Sequence, residues 1–167
     1  MDLCQFAAGA DETTPIEFDP HGDQGDTPYS INCKYANGLK LVMRDKGFDG
    51  LGSCAVRFEG EEGWAQTGDR GVVETSESLS ASRKEFSDSR QATTYHVRDF
   101  LDSVKSRKQP RANALATAQT HIGCHAAYIA FQLGRKLKFD PATDTFIGDG
   151  EANNMRSRAM REPWRLT

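Results

Sequence analysis

His121, Cys124 and His125 follow one another at i, i+3 and i+4, a spacing that on a helix brings three metal-ligating side chains to one face. They lie in the most apolar stretch of the chain, and no fourth ligand is indicated. The favoured reading is therefore hydrogen-bonded core histidines, and no metal site is assigned. A His-Glu-x-x-His motif is absent, because Ile122 follows His121. Glu61 and Glu62 could pair for acid/base work, but they stand between two strand-like runs, where a solvated hairpin tip is expected. Serine, histidine and aspartate are plentiful, yet no Gly-x-Ser-x-Gly elbow occurs. No Gly-x-Gly-x-x-Gly follows a strand and there is no Walker-type loop, so the chain shows no nucleotide cradle of its own. Arginines 156, 158, 161 and 165 could hold a phosphate or carboxylate, although such a run more often pairs with acidic neighbours or stays wet.

The elements that would position these groups centre on residues 94–140. Val97, Phe100, Leu101 and Val104 form one stripe of a first helix that Pro110 stops. Asn113 can cap a second helix. Its apolar face is predicted from Leu115, Ala118, Ile122, Ala126, Ile129 and Leu133, and Cys124, Tyr128 and Phe131 widen it. Gly134 supplies a left-handed stop, with Arg135, Lys136 and Lys138 set to complement the negative helix end.

Earlier in the chain the period is two. Ile16 to Asp19 offers a short strand, followed by a polar HGDQGD loop. Tyr29, Ile31, Cys33 and Tyr35 alternate with polar residues, and Asn37-Gly38 predicts a type I′ hairpin turn into Leu39, Leu41 and Met43. Three further short strands, around Cys54–Phe58, Trp64–Thr67 and Val72–Thr75, would extend an antiparallel meander. Residues 76–93 read as a surface connection with one pinned turn. Leu137–Phe139 and Phe146-Ile147 suggest a last hairpin, Asp149 a cap for a terminal helical turn, and Trp164 a tail that docks on the body. Strands followed by helices, without βαβ alternation, predict an α+β fold: an open, mostly antiparallel sheet with helices packed on one face. Its other face would mix Lys34, Lys40, Arg44 and Arg57 with Val42 and Ala55, which suits solvent or a protein partner.

The 167 residues suffice for one domain with a sizeable core, spanning residues 1–167. The net charge of −3 and a pI near 5.8 give no extended basic face, so no nucleic-acid partner is expected. Cysteines 4, 33, 54 and 124 are scattered and suggest free thiols in a reducing compartment. No apolar run is long enough to span a membrane.

Four segments, RDFLDSVKSRKQP, CHAAYIAFQLGRKLKFDP, FIGDGEANNM and REPWRL, resemble the C-terminal part of the Gfo/Idh/MocA (glucose-fructose oxidoreductase / inositol dehydrogenase / MocA) family. YANG before a strand and RFEGEEGW extend the likeness over nearly the whole chain. It is nearest to the branch common in planctomycetes and related bacteria. The resemblance implies a two-domain parent, with an N-terminal Rossmann domain that binds NAD or NADP and a C-terminal α+β domain that builds the substrate site and a homo-oligomer interface. Only the second domain is expected here. The substrate class implied is a small-molecule sugar or polyol. DLCQFAAG is similar to the family helix that opens Gly-x-His-x-x-Asp, which carries a catalytic role over to Asp2; the motif's histidine would lie just before Met1. Ala118-Gln119-Thr120 departs from a His-Arg-Ser-like segment of relatives. The resemblance implies that this chain alone binds no cofactor and does not turn over. Cytoplasmic is the default location, and relatives in this branch are sometimes exported by a leader that would sit upstream. The alternative is a free-standing binding or assembly module that keeps the fold without redox work.

Overall fold

The computed structural model describes residues 1–22, 28–45, 51, 54–68, 72–82 and 89–164. They fall into two compact units, Met1–Asp45 with Leu115–Thr167, and Lys46–Ala114. The architecture is α+β with open antiparallel sheets, as the order of periods implies.

The first unit is built on a five-stranded sheet. Its strands are β1 (Glu17–His21), β2 (Ser30–Lys34), β3 (Lys40–Arg44), β7 (Leu137–Asp140) and β8 (Thr145–Phe146), in the order β3-β2-β1-β7-β8. The short N-terminal strand is thus central. Phe18 stands opposite Cys33 on one side and Leu137 on the other, and alternation sends Phe18, Ile31, Cys33, Leu137 and Phe139 to one face. On that face lies α3 (Ala114–Leu133), which contributes Ala126, Ala127, Ile129 and Ala130 to the core. Ala152 of α4 (Gly150–Asn154) and Phe146 complete it. Phe139 meets Phe18 edge-on at 6.1 Å between ring centres and Phe146 at 5.1 Å, geometries that suit the aromatic quadrupole.

The second unit holds β4 (Val56–Gly60), β5 (Gly63–Thr67) and β6 (Val73–Thr75) as their own antiparallel sheet, in that order. The predicted meander is therefore two sheets, because β1 and the late strand β7 close the first one. Gly63 has φ +151°, and a Cβ there would overlap Ser76 Oγ. That hydroxyl accepts from Trp64 N–H at 3.2 Å, and Ser78 Oγ donates to the Glu62 carbonyl at 2.6 Å. The solvated tip at Glu61-Glu62 is thus latched from behind. A short 3-10 turn spans Glu77–Ser82, the pinned turn expected in that connection. The turn at 69–71 and most of the GDQGD loop lie outside the described residues.

Several local expectations meet the structure. Gly134 is left-handed at φ +61°, and the Asp149 carboxylate accepts from Ala152 N–H at 2.9 Å to cap α4. At Asn37-Gly38 only the glycine takes a positive φ, +91°. The loop is a three-residue one, with Tyr35 N–H donating to the Leu39 carbonyl and Leu39 N–H to Asn37 Oδ1. The Asn37 side chain satisfies the donor that a type I′ turn would have left to the backbone. Arg135 does not serve the end of α3; it grips Asp149 at 3.0 Å and Glu151 at 2.7 Å, while Lys136 pairs with Glu17 at 2.6 Å.

Two packing expectations are corrected. The first helix, α2 (Ser89–Ser106), ends through Arg107 at φ +60°, ahead of Pro110, and its stripe of Val97, Phe100, Leu101 and Val104 is between 46% and 57% exposed. Periodicity marks the face of a helix, not the presence of something to cover it. Trp164 is 72% exposed, so the tail does not seat its ring.

Phe18 is fully buried at the crossing of β1, β2, β7 and α3. Phe18→Ala is expected to cost about 3–5 kcal/mol in chemical denaturation; a loss below about 1 kcal/mol would show that this crossing is not the core of the sheet.

Candidate functional site

Asp2 sits in the first turn of α1 (Asp2–Ala7), a six-residue helix too short to be stable by itself. It is held from behind. Met1 lies over Gly123 of α3, where a Cβ would overlap Met1 Cε, and Cys124 Sγ stands 3.6 Å from Met1 Sδ. Gln5 is fully buried and donates through Nε2 to the carbonyls of Ala10 at 3.2 Å and Thr13 at 2.6 Å, tying α1 to the segment that leads into β1. The result is an exposed Asp2 carboxylate whose Oδ1 accepts from the Thr120 hydroxyl at 3.4 Å.

Beneath Asp2 the interior is polar. Tyr35, Thr14 and Gln5 are buried, and Tyr35 Oη, Thr14 Oγ1 and Gln5 Oε1 have no hydrogen-bond partner among the described residues. Cys33 is buried as well, and burial pushes its thiol up to about 12, with Cys124 adding to the effect. Burial raises the Tyr35 hydroxyl above its ordinary 10.0, and the thiols of Cys33, Cys4 and Cys124 add to that. Cys4 is also raised by burial. The thiols of Cys4 and Cys33 stay protonated at neutral pH and are poor nucleophiles.

His121 and His125 are exposed on the outer side of α3, while Cys124 is half-buried towards Met1. The expectation of core histidines is corrected here. The buried residues of α3 are Ala116, Gly123, Ala126, Ala127, Ile129 and Ala130, so the helix meets the sheet mostly on small side chains and turns both imidazoles outward. Among the described residues no three metal-ligating side chains converge. Arg158 and Arg161 are exposed, Arg156 reaches Asn153 Oδ1 at 3.4 Å, and Arg165 lies outside the described residues.

A dinucleotide needs a strand-to-helix turn with backbone N–H groups aimed at its phosphates. The described strands pair only antiparallel, and the described residues offer no such turn. They do not fit a nicotinamide dinucleotide. No helix of the described residues is long and apolar enough to cross a membrane.

An open antiparallel sheet covered by one helix, with a short helix beside it, defines an α+β domain. The model of the oxidoreductase family, C-terminal alpha/beta domain (GFO_IDH_MocA_C2), matches residues 1–166, and the chain belongs to that family. No curated protein and no solved structure matches it.

The buried thiol and phenol make the fold sensitive to alkali. Both groups have raised values in the folded chain, so their contribution is complete below the ordinary thiol value of 9.0 and is lost as pH rises towards about 12 for Cys33. The urea midpoint is expected to fall progressively above about pH 9, and to fall less steeply in Cys33→Ser and Tyr35→Phe than in the parent chain. An equal slope in all three would show that these groups do not carry the effect.

Proposed function

We propose that this chain is the substrate-binding and assembly domain of an NAD(P)-dependent oxidoreductase that acts on a sugar or polyol. The nicotinamide would be held by a separate nucleotide-binding domain of the same protein, in the branch common in planctomycetes and related bacteria. The observation that carries this reading is the match of an oxidoreductase C-terminal domain over residues 1–166. Two antiparallel sheets with no dinucleotide turn among the described residues agree with it. Cys4, Cys33 and Cys124 form no disulfide, which favours a reducing compartment, the cytoplasm.

Within this reading Asp2 is the proton-handling group. Its carboxylate is open to solvent on one side and fixed by Thr120 on the other, so it can accept a hydroxyl proton from a bound polyol or hold the group that does. Thr120 orients it, and the seat of Met1 on Gly123 sets where α1 starts.

Assembly would use the face of the five-stranded sheet that α3 does not cover. The register puts Glu17 and Asp19 on β1, Lys34 on β2, Lys40 and Arg44 on β3 and Lys138 on β7, with exposed Val42 among them. An acidic strand flanked by basic ones is self-complementary when a second copy is turned by a twofold axis. The partner proposed for this face is therefore another copy of the chain.

The reading frame that contains Met1 tests the first part. A Rossmann-type sequence ending in Gly-x-His-x-x directly upstream is expected, and in that protein Asp2→Asn should lower kcat by about 10²–10⁴ with a sugar or polyol while leaving nicotinamide binding intact. Nicotinamide turnover by the 167-residue chain alone, or an unchanged kcat in Asp2→Asn, would overturn it.

For assembly, light scattering should show a dimer or larger species, and Val42→Glu should shift it towards the monomer. A monomer at high concentration would refute this face as an interface.

A further inference from the structure

The three-stranded sheet of the second unit has one face whose side chains are joined into a network that the reading above leaves unused. Antiparallel register sets Arg57 opposite Gln66, Glu59 opposite Trp64, and Gln66 opposite Glu74, so all five project from the same side. The guanidinium of Arg57 lies over the indole of Trp64, 4.2 Å from the ring centre. Arg57 Nε donates to Glu59 at 2.9 Å, Arg57 Nη1 to Gln66 Oε1 at 3.2 Å, and Gln66 Nε2 to Glu74 Oε2 at 2.5 Å. Gln66 is buried at the centre, whereas Glu59 and Glu74 are exposed at the two flanks.

Each part has a chemical consequence. The guanidinium covers one face of the half-buried indole, so it is the opposite face of this flat, rigid ring that would take the C–H face of a pyranose. Carboxylates are acceptor-only groups with several lone pairs; Glu59 and Glu74 each spend one oxygen on the network and keep the other free for the hydroxyls of a neighbouring diol. The chain of bonds from Glu59 through Arg57 and Gln66 to Glu74 fixes both carboxylates in advance, which lowers the ordering cost of binding. Charge then decides between classes of ligand. Among the described residues the face carries one guanidinium against two carboxylates, a net charge of −1, and the guanidinium is already engaged. A phosphate or carboxylate on the ligand would meet repulsion and no free cation in this network.

We propose that the Arg57–Glu59–Trp64–Gln66–Glu74 face is a subsite for an uncharged glycosyl unit and discriminates against phosphorylated and carboxylated sugars. For the class of ligand it rests on the sugar or polyol reading above; for its place it rests on this sheet alone. The two can therefore fail separately: loss of turnover in Asp2→Asn reports on the first, and ligand binding at Trp64 on the second.

The test uses the 167-residue chain carrying Trp164→Phe, which leaves Trp64 as the only tryptophan. Titration with neutral methyl hexosides and disaccharides should give a saturable change in Trp64 fluorescence, with a Kd on the order of 1 mM for so open a surface. Glucose 6-phosphate and glucuronate should bind at least tenfold more weakly, the gap widening at low salt. Glu74→Gln should weaken the neutral sugars at least fivefold, and Trp64→Ala should abolish their binding in ligand-observed NMR. Should Trp64→Ala fail to fold, Glu74→Gln with an unchanged circular dichroism spectrum still decides. No saturable response to any neutral sugar, equal or tighter binding of the anionic sugars, or undiminished binding in Glu74→Gln would each overturn the proposal.

Discussion

The close contact between α3 and the sheet under it is the constraint from which the first unit follows. Ala126, Ala127 and Ala130 occupy the part of the helix that meets Phe18, Leu137 and Phe139. Side chains this small let the helix axis come close, and the aromatic residues from the strands then fill the space between. Because the small residues recur on one stripe, the larger polar ones are forced outward, which is why His121, His125 and Tyr128 face solvent. The same stripe includes Gly123, and the space left by its missing Cβ is where Met1 enters. One packing choice thus sets the core, the exposure of the imidazoles and the position of α1.

Alternation in the strands was legible because its cause is local. Ile31, Cys33 and Tyr35 must share a face in any extended chain, and the structure buries all three. Capping by Asp149 and the left-handed stop at Gly134 were legible for the same reason, since each depends on a few neighbouring residues. Sheet membership was not legible. Whether β1 pairs with β7 depends on residues 17 and 138, far apart in sequence, and nothing in the period of either strand encodes its partner. That is how one expected meander became two sheets. On α3 the expected face holds at Ala126 and Ile129, which are core, and at Ile122 and Leu133, which pack against it, whereas Leu115 and Ala118 near the helix start are exposed. Ala116, Gly123, Ala127 and Ala130 complete the buried side, because a helix laid against aromatic strands needs room as well as bulk.

The candidate site was legible only in part. Asp2 came from a resemblance at DLCQFAAG and not from any local chemistry; its neighbours in space, Thr120, Gly123 and Cys124, lie more than a hundred residues away. The network on the second sheet had a local signal that a scan for catalytic motifs passes over. Arg57 and Glu59 are two apart on one strand, Trp64 and Gln66 two apart on the next, and a period of two puts each pair on one face. The turn at Gly60–Gly63 fixes their register, so the order of residues 57–66 alone implies most of that face.

The polar interior beneath α1 bears on what Asp2 can do. Burying Tyr35 and Gln5 there carries a cost, since hydroxyl and amide oxygens without a partner among the described residues lose their water without a replacement. Gln5 recovers part of that loss through two bonds to backbone carbonyls, and those bonds are what fasten a helix of six residues. Helix propensity cannot hold Asp2 in place on so short an element. Its direction is set instead by the Gln5 amide behind it, the Met1 side chain in the Gly123 notch and the Thr120 hydroxyl beside it. The carboxylate at the surface is therefore only as well aimed as the buried polar layer that anchors its helix, so a change at Gln5 or Gly123 acts on Asp2 without touching it.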